Sequence, residues 1–139
     1  MARRDADLLA RVPIFAGLSR RHLRAVASIA KEADFDEKQE VAREGWPGDD
    51  FYVILSGQAK VVQRGRTIAN LIPGDFFGEI ALLDGGPRSA SVIAETPLQT
   101  MTVNRKPFHS MLQREPTIVL KMLEEVAGRL RNAERSLTG

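Results

Sequence analysis

The sequence predicts an α+β protein, with helices at both ends of a β-rich middle that has the texture of an antiparallel sandwich or barrel. Three observations carry that prediction. Residues 5–32 place apolar side chains at helical spacing, with neither Pro nor Gly between Ser19 and Glu32. Residues 33–104 break into short β-type runs separated by Gly and Pro. Residues 105–137 return to helical texture behind Pro107 and Pro116. A chain of 139 residues, 43% hydrophobic and 27% charged, holds enough apolar surface for a folded core and reads as one domain over 1–139.

At the N-terminal end Leu8, Leu9 and Val12 share a helical face, and Pro13 closes that turn. Ser19 is an N-cap for a second helix, lined on one side by Leu23, Val26, Ala27 and Ala30. In the middle region, strands are expected at Phe51–Leu55, Ala59–Val62, Thr67–Leu71, Ser91–Ala94 and Met101–Val103. The turn residues between them are Gly45, Pro47-Gly48, Gly57, Gly65, Pro73-Gly74, Gly85-Gly86-Pro87 and Pro97. Only Glu79–Leu83 has helical texture inside this region. At the C-terminal end Pro107 opens a short helix ending near Arg114, and Pro116 opens a second, about 33 Å long at about 1.5 Å per residue. Along it Val119, Leu123, Val126, Leu130, Ala133 and Leu137 step by four and three alternately. That stripe suits packing on its own domain and pairing with another chain equally well.

Composition removes several function classes. The net charge is only +2 and the basic residues are interspersed with acidic ones. The one basic cluster, Arg20-Arg21-His22-Leu23-Arg24, reads as the solvated face of a helix, so nucleic-acid binding is disfavoured. Without cysteine there is no disulfide framework and no thiolate metal site. No apolar run approaches a membrane span, and Asp5, Asp7 and Arg11 interrupt any signal core; a soluble, cytoplasmic protein is expected. The two histidines, His22 and His109, lie in separate helical regions, with no His/carboxylate metal spacing and no Walker-type loop. No catalytic residue, metal or cofactor is assigned, and the chain is expected not to be an enzyme.

The chemistry concentrates in residues 76–92, FFGEIALLDGGPRSASV. Gly74 and Gly78 bracket an aromatic pair before a very short helix, where glycine lets a ligand approach the backbone and a helix start offers N–H groups to an anion. Glu79 stands in that first turn, where its carboxylate can accept from a vicinal hydroxyl. Arg88 follows Gly85-Gly86-Pro87, and its small neighbours Ser89, Ala90 and Ser91 leave room beside a fork of N–H donors. Each residue also has a plain reading: Arg88 as a surface partner of Asp84, and Glu79 as a helix-start carboxylate.

This segment resembles the phosphate-binding cassette of the cyclic nucleotide-binding domains of bacterial transcription regulators, kinase regulatory subunits and gated channels. The series FYVILSGQAKV, GDFFGEIALL and PRSASV follows the family's order through 33–104, and the flanking helices fit as well. The resemblance implies an antiparallel, jelly-roll-like β-roll with N-terminal helices and a C-terminal helix pair. It implies that Glu79 holds the ribose 2′-hydroxyl while the backbone of Gly78, Ile80 and Ala81 lines the sugar-phosphate. Arg88 would take the exocyclic phosphate oxygens, with the Ser89 hydroxyl and the Ala90 N–H, and Val61, Ile68 and Leu71 would wall the base. The ligand implied is cAMP, with cGMP open because of Ser89.

Departures from the family pattern are local. Lys38 stands in the turn after the first strand, where the family usually has Gly, and Trp46 follows Gly45 where a polar residue is commoner. In DNA-binding relatives a hydroxyl on the long helix reaches the base; Ala133 occupies that point, leaving Arg129, Asn132 or Ser136 as candidates for a base lid. The residues after the long helix do not suffice for a helix-turn-helix domain. The expectation is therefore a free-standing or excised receptor module without a DNA-binding domain, signalling through its C-terminal helices to a second copy or a partner protein. The competing expectation is a scaffold built on a degenerate roll that has lost its ligand.

Overall fold

The computed structural model describes residues 2–138. The chain divides into two compact units: one from Ile29 to Phe108, the other made of the segment through Ser28 and the chain from His109 onward.

The helical unit begins with α1 (Ala2–Leu9), a 3-10 turn at Pro13–Phe15 and α2 (Arg20–Ser28). Leu9, Val12, Ile14, Phe15, Leu23 and Val26 are buried. Ser19 caps α2 as expected, its Oγ accepting the His22 N–H at 3.2 Å. Helix α4 (Arg105–Arg114) crosses from one unit to the other, and α5 (Pro116–Thr138) follows. Ile118 and Met122 are the buried side of α5, while Leu123, Leu130 and Leu137 are 59, 61 and 88% exposed. The residues of the heptad-like stripe are thus largely outside the packed face.

The roll unit is two four-stranded antiparallel sheets. One runs β1 (Lys31–Phe35), β8 (Leu98–Asn104), β3 (Asp50–Ser56), β6 (Phe76–Phe77); the other runs β2 (Glu40–Ala42), β7 (Ser91–Ala94), β4 (Ala59–Gln63), β5 (Arg66–Leu71). Non-sequential neighbours in both sheets give the jelly-roll-like winding. Between the sheets Ile54, Leu98, Phe35 and Phe77 meet Ala42, Ala59, Ala94 and Val92. Ala42, Val61, Phe77 and Val92 of this intersheet layer also line the pocket described below.

The five expected strands form, Ser91–Ala94 with the expected bounds and the other four longer. Three more were not foreseen. β2 and β6 have three and two residues, too few to show an alternation. β1 replaces the end of the expected N-terminal helix: α2 stops at Ser28, and Lys31–Phe35 pair with Thr102–Leu98. Lys-Glu-Ala-Asp has little strand propensity, so pairing with β8 decides the conformation rather than local preference. In the turn after β1, Lys38 takes φ 70°, a left-handed conformation that a lysine adopts at a cost of about 1–2 kcal/mol.

Among the described residues no helix is long and apolar enough to cross a membrane, and no three His, Cys, Asp or Glu side chains stand together to hold a metal.

Candidate functional site

A cavity of about 390 Å³ opens on the roll, between α3 (Glu79–Asp84), the strand β4 and the segment leading into β7. Its size falls within the range of small-molecule sites, roughly 300–1,000 Å³. It gathers Val61, Gly78, Glu79, Ile80, Ala81, Arg88, Ser89 and Ala90 from the residues expected at the site.

Helix α3 is a short helix of six residues held between two left-handed glycines, Gly78 at φ 84° and Gly85 at φ 63°. The first sets Glu79 at the mouth of the helix; the second turns the chain back toward Arg88. Ala81 and Leu82 anchor α3 on its buried side, and Ile80 is left 56% exposed. Phe77, just before α3, stacks on Tyr52 at 4.7 Å.

Arg88 is placed by backbone on one side and glycine on the other. Its N–H donates to the Trp46 carbonyl at 2.9 Å, and its own carbonyl accepts the Gly45 N–H at 2.8 Å. Together with the Pro47–Pro87 bridge, these bonds clamp the β2–β3 loop against the strand entry. The guanidinium lies over Gly48 and Gly78: a methyl on Gly48 would run into Nε, and one on Gly78 would stand 2.5 Å from Nη1 and 2.7 Å from the Asp50 carbonyl. Nη2 donates to that carbonyl at 2.8 Å. Asp84, the plain alternative partner, instead accepts the Gly86 N–H at 2.8 Å. The cation is therefore aimed by a neutral acceptor, which leaves its positive charge uncompensated by that contact and suited to an anion.

Ser89 is exposed, with its carbonyl taken by Gln63 Nε2 at 3.0 Å. The expected apolar wall forms only in part. Val61 lines the cavity, and Leu71 shares its sheet face, opposite Ala59, packing on the intersheet core. Ile68 is not among the residues that line the cavity. The register jumps between Val61↔Ala69 and Val62↔Thr67, so Ile68 is the extra residue of a β-bulge, and it is 56% exposed. Arg129, Asn132 and Ala133 are exposed on α5, in the helical unit.

Sequence reading missed Ala42 in the lining and the residues behind Arg88: Gly48, Asp50, Tyr52 and Asn104. Gly48 stood in view only as a turn residue. Burial pushes the Tyr52 hydroxyl up to about 12, with the Asp50 charge adding to the rise and the Arg88 charge opposing it.

The chain is similar to known proteins in sequence and in fold. The chain is 33% identical over 138 residues to the CRP-like cAMP-activated global transcriptional regulator of Mycobacterium tuberculosis (strain ATCC 25618 / H37Rv), a match covering 94% of this chain and 61% of that protein. The chain thus spans about three fifths of the length of that relative. The N-terminal domain of a transcriptional regulator from Streptomyces coelicolor A3(2) superposes with a TM-score of 0.85 at 27% identity, covering 94% of this chain and 95% of that one. The Catabolite Activator Protein of Thermus thermophilus gives 0.68 at 29% identity, over 91% of this chain and 62% of its own. The sequence profile of the cyclic nucleotide-binding domain matches residues 32–115, which span β1 to the α4–α5 junction and include the whole cavity. With its roll, its α3 cassette and its aimed arginine, the chain belongs to the cyclic nucleotide-binding domain family.

Proposed function

We propose that this protein is a non-catalytic, cytoplasmic cAMP receptor that signals by moving its C-terminal helices when the cavity fills. The observation that carries the reading is the Arg88 guanidinium, held over two glycines by a main-chain carbonyl at the edge of a cavity that also contains Glu79. A cyclic phosphodiester has one negative charge, and one fork of donors matches it. In this reading Arg88, the Ser89 hydroxyl and the Ala90 N–H take the exocyclic oxygens. Glu79 accepts from the ribose 2′-hydroxyl, and the backbone of Gly78, Ile80 and Ala81 lines the sugar-phosphate. Val61 packs on the base with Leu71 behind it, and Arg129 or Asn132 on α5 closes over it.

The choice of cAMP follows the name of the mycobacterial relative, a cAMP-activated regulator. The output follows from Leu82, fully buried in the cassette helix: a cassette that tightens on phosphate moves a packed side chain, and packed interiors transmit such shifts. The exposed leucines of α5 then serve a second copy of the chain. Parallel calorimetric titrations with cAMP and cGMP test the reading. cAMP is expected to bind more tightly; a tenfold or greater preference for cGMP would overturn the choice of base, and no heat with either would overturn the receptor itself.

A further inference from the structure

Arg88 is aimed by a residue that has its own holders. Asp50 is the first residue of β3 and stands directly opposite Asn104, the last residue of β8. Asn104 Nδ2 donates to Asp50 Oδ1 at 2.8 Å, and Tyr52 Oη donates to Asp50 Oδ2 at 3.4 Å. Tyr52 is itself fixed between Phe77, stacked at 4.7 Å, and the edge of Phe35 at 6.0 Å. With both oxygens engaged, the carboxylate stays where it is. Released, it would lie one side chain away from a guanidinium already bonded to its own carbonyl, and would compete with any anion for it.

Asn104 has a second task. Its Oδ1 accepts the Lys106 N–H at 3.1 Å, the bond of an N-cap on α4, while the Arg105 N–H donates to the Asp49 carbonyl at 2.8 Å. One amide group thus faces Asp50 with its nitrogen and the first turn of α4 with its oxygen.

We propose that Asp50 and Asn104 are a positioning pair for the anion site: their hydrogen bond sets the carbonyl that aims Arg88, restrains the Asp50 carboxylate from the guanidinium, and joins Arg88 to the N-cap of α4 in one hydrogen-bonded unit. This rests on the cyclic nucleotide reading for the identity of the anion, but the placement of Arg88 is open to test without any ligand.

Asn104→Asp keeps an oxygen of similar capping quality for Lys106 and replaces the donor to Asp50 by a second carboxylate. Asn104→Ser keeps a cap and adds no charge. The double variant Asp50→Asn/Asn104→Asp reverses the pair, with the new amide donating to the new carboxylate. Two readouts are taken: the affinity for cAMP by calorimetry, and the Arg88 Nε–Hε resonance of the nucleotide-free protein by NMR. Asn104→Asp and Asn104→Ser should weaken cAMP binding by about tenfold and shift or broaden the Arg88 resonance, and the reversed pair should return affinity to within about threefold of the parent. Single variants that match the parent in both readouts, or a reversed pair no better than Asn104→Asp alone, would overturn the proposal. Absence of cAMP binding in the parent would count against the nucleotide reading, and the Arg88 resonance would then decide the positioning by itself.

Discussion

The residue that reports most directly on the site's interior is Tyr52. It is the chain's single tyrosine, so phenolate absorbance follows one group. Its hydroxyl, 7% exposed as a residue and bonded to Asp50, is pushed up to about 12, burial being the main cause. The neutral phenol is therefore favoured in the folded chain. Below about pH 10 both folded and unfolded states are protonated and this contribution is fully present. Between about 10 and 12 the unfolded phenol ionises first, so stability falls as pH rises through that window. A spectrophotometric titration should find the midpoint near 12 in the folded protein and about 10 in denaturant. A folded midpoint near 10 would mean that water reaches the Phe35–Tyr52–Phe77 cluster. Tyr52→Phe should flatten the alkaline loss of stability.

At the scale of the element, the cassette depends on glycines for two separable reasons. At Gly48 the atoms nearest to an added methyl belong to the far end of the Arg88 side chain, whereas at Gly78 they include the Asp50 carbonyl, on a backbone with φ 84°. Gly48→Ala should thus keep the parent's stability within about 1 kcal/mol while displacing the guanidinium and weakening nucleotide binding. Gly78→Ala should lose both, with a stability cost of about 1 kcal/mol or more from the left-handed backbone. Thermal melts paired with nucleotide titrations check this. Equal behaviour of the two variants would contradict the division. The cassette itself was legible in the sequence because α3, Gly85–Pro87 and Arg88 are contiguous, and the local chemistry of each turn is written in adjacent residues. The holders of Arg88 were not, because Asn104 and Asp50 are 54 positions apart and meet only through antiparallel pairing of β8 with β3. The bulge at Ile68 was hidden for a related reason: no local signal marks where the register shifts. β1 stayed hidden because its charged residues gain strand structure from their partner alone.

For the whole molecule, the proposed receptor couples a roll that binds to helices that respond. Hydrogen exchange with and without cAMP should change protection in residues 76–92 and also in 116–137; change confined to the cassette would leave a binder without a switch. Because Leu123, Leu130 and Leu137 are exposed on α5, exchange along that helix should also slow as protein concentration rises, and a concentration-independent rate would argue against pairing through this face. All of this presupposes that one cation receives the phosphate. The direct measurement is a calorimetric titration of cAMP into the parent and into Arg88→Ala. Removing one partner of a desolvated charge pair costs on the order of 2–5 kcal/mol, roughly thirty- to several-thousand-fold in affinity, and the variant should show that loss with its fold intact. An Arg88→Ala protein that binds cAMP as tightly as the parent would contradict the account.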